Sequence, residues 1–188
     1  MNNKLSISNI LIIISIVITF LATIMPSLYM FGINNSFLHQ GLYHIYIIQF
    51  FTGTFLHGGL FHLFLNSFFI NYFGNIVEGL MGKKKYFIFF MFSTFFIGLL
   101  VTYFSNGNHI GISGFCMALL SYFTLELRSR NDPDYKGGIT AILLNIGIGI
   151  IPGISLYGHL FGAIAGVIFY LITKDFFRTK YVGLDVEI

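Results

Sequence analysis

Gly111-Ile112-Ser113-Gly114 lies inside Tyr86–Leu125, a run of 40 residues without Asp, Glu, Lys or Arg. Two similar runs flank it: Leu5–Val77, with 73 residues, and Gly137–Thr173, with 37. A helix that crosses a bilayer needs about 20 predominantly apolar residues, with a lower limit near ~17. Each run therefore has room for two spans and a turn. This predicts six helices, at roughly 10–31, 60–79, 86–104, 112–127, 137–151 and 156–174. Gly58-Gly59, Gly82, Asn106-Gly107-Asn108, Asp132-Pro133 and Pro152-Gly153 separate them. Segment 32–57 reads as a long outer loop. Its apolar side chains, Phe37, Leu38, Leu42, Tyr43 and Ile45 through Phe51, place it in the membrane interface rather than in water.

The composition agrees. The 188 residues are 56% hydrophobic and 9% charged, with a mean hydropathy of +0.83. A soluble domain carries about 25% charged residues. The chain reads as an all-α integral membrane protein, one domain over 1–188. The first apolar run is long enough to span and has no small-residue cleavage site, so no cleavable signal peptide is expected. With six spans both termini share a side. All ten Lys and Arg fall on that side, which the positive-inside rule makes cytoplasmic. That asymmetry accounts for the basic pI near 9.0 without a nucleic-acid partner. The single cysteine, Cys116, excludes an internal disulfide. Abundant Asn, Ile, Phe and Lys, with no Trp, suggest an AT-rich bacterial genome and so a bacterial cell membrane.

Four polar side chains stand out because polar groups are expensive in such segments. They are Ser113, His159, His62 and Asn66. In the predicted topology helices two, four and six enter from the outer face, and each carries its polar residues near that end. Ser113 is 13 residues from Glu126, ~20 Å along a helix. His159 is 15 residues from Lys174, ~22 Å. His62 and Asn66 are 16 and 12 residues from Glu78, ~24 and ~18 Å, and bracket the others. The hydrocarbon core is ~30 Å thick. The group would lie several ångströms beneath the outer surface, reached by water through a polar cavity open to the outside.

Each residue also has a plainer reading. Ser113 can cap a helix or serve as a small contact residue. His159 alone can be a hydrogen-bonded structural histidine. His62 and Asn66, at i and i+4, share a helix face and can join helices. Their joint depth favours chemistry. Gly158, Gly162 and Gly166 on helix six, with Gly114 and Ala118 on helix four, allow two backbones to approach closely. A serine nucleophile and its base need that approach, to within ~2.6–3.2 Å. Every Asp and Glu falls on the cytoplasmic side, so none can orient His159. The arrangement suits a Ser–His dyad rather than a triad. Ser113 would attack a carbonyl and His159 would take its proton. The backbone N–H of Ser113, Asn66 and His62 are candidate oxyanion donors. A metal site is disfavoured, since His57-x4-His62 has no acidic partner on the outer side. No cofactor is called for.

The residues resemble the rhomboid intramembrane serine proteases. The likeness rests on Phe55-Leu56-His57-Gly58-Gly59, continuing through His62 to Asn66; on Gly74 to Glu78; on Gly111-Ile112-Ser113-Gly114; and on His159-x-x-Gly162-x-x-x-Gly166. It runs from about residue 48 to 170, with a core near 48–174. The resemblance implies a six-helix bundle, with Ser113 as nucleophile, His159 as base, and Asn66 and His62 on the oxyanion side. It implies transmembrane proteins as substrates, cut in or near the membrane, often after a small residue. Two departures stand out. Ile48-Gln49 replaces a Trp-Arg or Trp-Gln pair common in the first outer loop, and Met117 replaces an aromatic residue four positions after the serine. Two other classes remain to be weighed: a non-catalytic rhomboid-like protein that binds transmembrane helices, and a small channel or transporter. Retention of both Ser113 and His159 speaks against the first. The clustering of the polar residues in the outer half, with no matching set deeper in the membrane, speaks against the other.

Overall fold

Charge-free runs bounded by glycine, proline and asparagine become helices, in the order the sequence predicts. The computed structural model describes residues 5–181, with side chains to Lys174; the charges at Lys4 and beyond Lys174 lie outside that description. The long elements are α1 (Ile7–Ile24), α4 (Leu60–Phe69) running through a π-turn (Ile70–Gly74) into α5 (Asn75–Met81), α6 (Lys83–Phe104), α7 (Ser113–Ser129), α8 (Tyr135–Ile148) and α9 (Leu156–Tyr181). Between α1 and α4 come the short α2 (Ser36–His39) and the longer α3 (Tyr43–Phe55). Among the described residues there is no strand, only a single bridge pairing Ile33 with His109.

Four stretches are long and apolar enough to cross a membrane: Ile7–Ile24, Leu60–Met81, Lys83–Phe104 and Leu156–Lys174. Their outward faces match that medium. Leu60, Phe61, Phe64, Leu65 and Phe68 are all exposed along one helix, as are Ile13, Ile16, Val17 and Phe20 along another. Apolar faces of this extent are not left bare to water, so the chain is an integral membrane protein. Helix α7, of 17 residues, is instead wrapped by its neighbours, with Gly114 through Tyr122 all buried. Around it Tyr86, Phe89, Phe90, Phe115, Tyr122 and Phe169 form an aromatic core. Helix α8, of 14 residues, buries none of its side chains.

Three expectations need correction. The first helix ends at Ile24 rather than near 31, because Pro26 opens a separate 3-10 turn, Pro26–Phe31. Segment 32–57 is not an irregular loop: Tyr46, Gln49, Phe50, Gly53 and Thr54 make one buried face of α3, at i, i+3, i+4, i+7 and i+8. That face packs on α6, where the Phe50 ring lies against Gly98 and the Tyr46 and Thr102 hydroxyls meet at 2.6 Å. Glu78 is not the solvated anchor that the depth estimate assumes. It is 5% exposed, and its carboxylate accepts from Ile7 N (2.9 Å), Ser8 N (2.9 Å) and Ser8 Oγ (3.0 Å). These N–H groups at the start of α1 would otherwise lack partners, and a carboxylate there also meets the positive end of the helix dipole. Lys83 Nζ donates to Leu5 O at 2.9 Å, so the start of α1, the end of α5 and the start of α6 share one end of the bundle.

Candidate active site

The four polar residues gather at the opposite end. Ser113 is the first residue of α7. The loop before it reaches the helix through Gly111, whose φ of +111° suits glycine. Gly111 is also needed for space: a Cβ there would lie 2.7 Å from His62 Cε1, 2.9 Å from His62 Nε2 and 3.7 Å from Asn66 Nδ2. Thus His62 and Asn66, on one face of α4, sit directly against the residue two positions before Ser113.

Asn66 is 7% exposed. Cys116 Sγ lies 3.8 Å from its Oδ1, as a weak donor, while its Nδ2 is buried with no hydrogen-bond partner. A buried amide donor left unpaired carries a desolvation penalty of about 1–3 kcal/mol. A donor kept free at this point is available to an oxygen that arrives later. The ring of His62 is edge-on to His57, with centroids 5.0 Å apart. His57 is itself fully buried and its Nδ1 is 3.2 Å from both Thr19 Oγ1 and Phe55 O. It supports the segment that leads into α4.

His159 enters from α9. Helices α7 and α9 touch backbone to backbone: a methyl at Gly162 would collide with the carbonyl of Gly114, and one at Gly166 with that of Ala118. A methyl at Gly114 would come within 3.2 Å of Gly158 O. These glycines therefore bring the turn holding Gly158 and His159 against the first turn of α7, as the spacing predicts. Gly162→Ala is expected to push the helices apart, lowering the thermal midpoint and cutting activity at least about tenfold. A ~1 Å misplacement of reacting groups costs on the order of 10²-fold. Thermal unfolding and peptidase assays on the purified variant would check both; unaltered values would contradict this packing.

What orients His159 is a backbone group. Its Nδ1 lies 2.7 Å from Asn145 O, near the end of α8. A carbonyl only accepts, so Nδ1 carries the proton and Nε2 keeps its lone pair. The Asn145 carbonyl is free for this because the N–H of Gly149 turns back to Ile146 O at 3.0 Å, an i to i−3 bond. Among the described residues the Nδ1 partner is this carbonyl and not a carboxylate. Ser113 and His159 are not joined by a hydrogen bond among the described residues; nucleophile–base distances are often looser in the free state. Ser113 lines a cavity shared with Thr54, Thr94, His109 and Ser155. At the two departures, Gln49 is fully buried and donates from Nε2 to Met30 O at 3.1 Å, Ile48 faces outward, and Met117 is buried in α7.

Fold and site together define a helical membrane protein with a polar cluster set among apolar helices at one end. A profile of the rhomboid domain matches residues 44–176, from the start of α3 into α9. The chain belongs to the rhomboid family. A comparison with curated protein sequences gives no match.

Proposed function

We propose that the chain is an intramembrane serine endopeptidase that cleaves transmembrane segments of other membrane proteins with a Ser113–His159 dyad. The observation that carries this reading is the bond from His159 to Asn145 O. It sets the tautomer with Nε2 as the proton acceptor, which is the form a general base needs. Ser113 Oγ attacks the substrate carbonyl and His159 Nε2 takes its proton. The resulting imidazolium is stabilised by the carbonyl-rich end of α8, where the helix dipole is negative. The tetrahedral oxyanion receives the unpaired Nδ2 of Asn66, the His62 ring and the N–H of Ser113 at the start of α7. His159 then returns the proton to the leaving amine, and water hydrolyses the acyl-enzyme. No cofactor enters this sequence.

The same reading treats the chain as one membrane domain with six spans and both termini in the cytoplasm. The site then opens to the outer face of a bacterial cell membrane. The ten basic residues of the sequence support that orientation.

The test is purified full-length protein in liposomes, presented with a panel of single-span substrates. Wild type is expected to cut at least one within or beside its apolar segment, and Ser113→Ala none. Binding of the substrates by both proteins without cleavage by either would instead identify a non-catalytic rhomboid that holds transmembrane helices.

A further inference from the structure

His109 takes no part in the chemistry above, yet it joins the two elements that carry it. Its Nδ1 is 2.9 Å from Ser155 Oγ and its Nε2 is 2.8 Å from Ser105 Oγ. Ser105 closes the end of α6. Ser155 opens α9, where its hydroxyl accepts from Gly158 N at 2.9 Å and its carbonyl accepts from His159 N at 3.0 Å. The backbone of His109 is pinned as well, exchanging bonds of 2.9 and 2.8 Å with Ile33. The spacing is the same on both sides: Ser113 follows His109 by four residues, and His159 follows Ser155 by four.

A neutral ring pairs both nitrogens in either tautomer, and the one with the proton on Nε2 makes these bonds. Ser155 Oγ accepts from Gly158 N–H and donates to His109 Nδ1. His109 Nε2–H donates to Ser105 Oγ, which also accepts from Gly107 N at 3.3 Å. This needs a neutral ring. Burial holds the His109 pKa below the ordinary imidazole value, so the ring is neutral at pH 7.

We infer that His109 is a positioning residue: through Ser155 it fixes the loop that ends in Ser113 against the helix start that presents His159. The glycine contacts between α7 and α9 set how close the helices come. They leave the approach of the loop to the α9 start to another constraint, and the His109–Ser155 bond supplies it. The inference rests on the hydrolytic reading of Ser113 and His159.

Substitutions separate the two bonds. An asparagine places its amide near the Nδ1 position and a glutamine near Nε2. His109→Asn therefore keeps a partner for Ser155, whereas His109→Gln keeps one for Ser105 and His109→Phe keeps neither. With the full chain in liposomes, His109→Phe and His109→Gln are expected to lose about tenfold or more in kcat, with KM changed less than about twofold. His109→Asn is expected to return to within about threefold of wild type. Ser155→Ala is expected to match His109→Phe, and the double variant to be no worse than either single one. A thermal scan of each variant accompanies the kinetics.

Wild-type kcat in His109→Phe, equal losses in the asparagine and glutamine variants, or additive losses with Ser155→Ala would each overturn the inference. So would activity losses that follow only the fall in thermal midpoint. A wild-type protein that cleaves nothing and takes no label at Ser113 would bring down the hydrolytic reading, and the positioning role with it. An active wild type with an indifferent His109 would bring down the positioning role alone.

Discussion

Ser113→Ala and His159→Ala are each expected to remove proteolysis by at least ~10⁴-fold, while expression and thermal midpoint stay near wild type. In serine proteases, loss of one member of the nucleophile–base pair costs about as much as loss of all of them. The double variant is therefore expected to be no slower than either single one. The structural side should be mild for Ser113, which has no hydrogen-bond partner to lose among the described residues. His159→Ala leaves the Asn145 carbonyl without its donor, a loss that water entering the site can offset in part. Substituting Asn for His159 gives a second check, because its amide lies near the Nδ1 position and can still donate to Asn145 O without acting as a base. An inactive but normally stable His159→Asn protein would separate catalysis from packing. Residual cleavage by purified Ser113→Ala protein, above that of an empty-membrane control, would count against the dyad.

Asn66→Ala should show the second largest effect, a fall of about 10²–10³ in kcat with little change in KM. The reason is the buried Nδ2 that has no partner in the resting protein. Because it gains a partner only as negative charge develops on the substrate oxygen, its loss appears in the transition state. The alanine also removes an unpaired buried donor, so stability should hold or rise slightly. Steady-state kinetics on a single-span substrate, with a thermal scan of the same sample, would check both. A KM effect at unchanged kcat would assign Asn66 to substrate binding instead.

The long helices were legible because sparse charge marks their ends on one side of the bundle, while glycine, proline and asparagine break the runs on the other. The candidate site residues stood out because polar side chains are conspicuous in such runs. The missed features have specific causes. In lipid the outward face of a helix is apolar, so α3 buries Gln49, Gly53 and Thr54 while exposing Ile47 and Ile48. That inverts the pattern by which a helix in water is recognised. Apolar residues continue on both sides of Pro26, which hid the end of α1. The group that orients His159 is a main-chain carbonyl, and no side-chain motif announces it. Nothing in the sequence marks His109: its partner Ser155 is far along the chain, with only the matching four-residue spacings to link them. Glu78 misled in the other direction. A carboxylate among cytoplasmic charges suggested solvent, whereas the open N–H groups at the start of α1 draw it inside.

The measurement that bears most directly on the central claim is covalent labelling by a fluorophosphonate. The full-length protein would be held in oriented membranes and the adduct mapped by mass spectrometry. The reagent reports a serine activated by a neighbouring base, independent of any substrate. The account predicts a slow adduct on Ser113, formed from the outer face, retained in Cys116→Ala and lost in His159→Ala. An adduct on Cys116, labelling of Ser113 that persists without His159, or no adduct on a folded wild-type protein would contradict it.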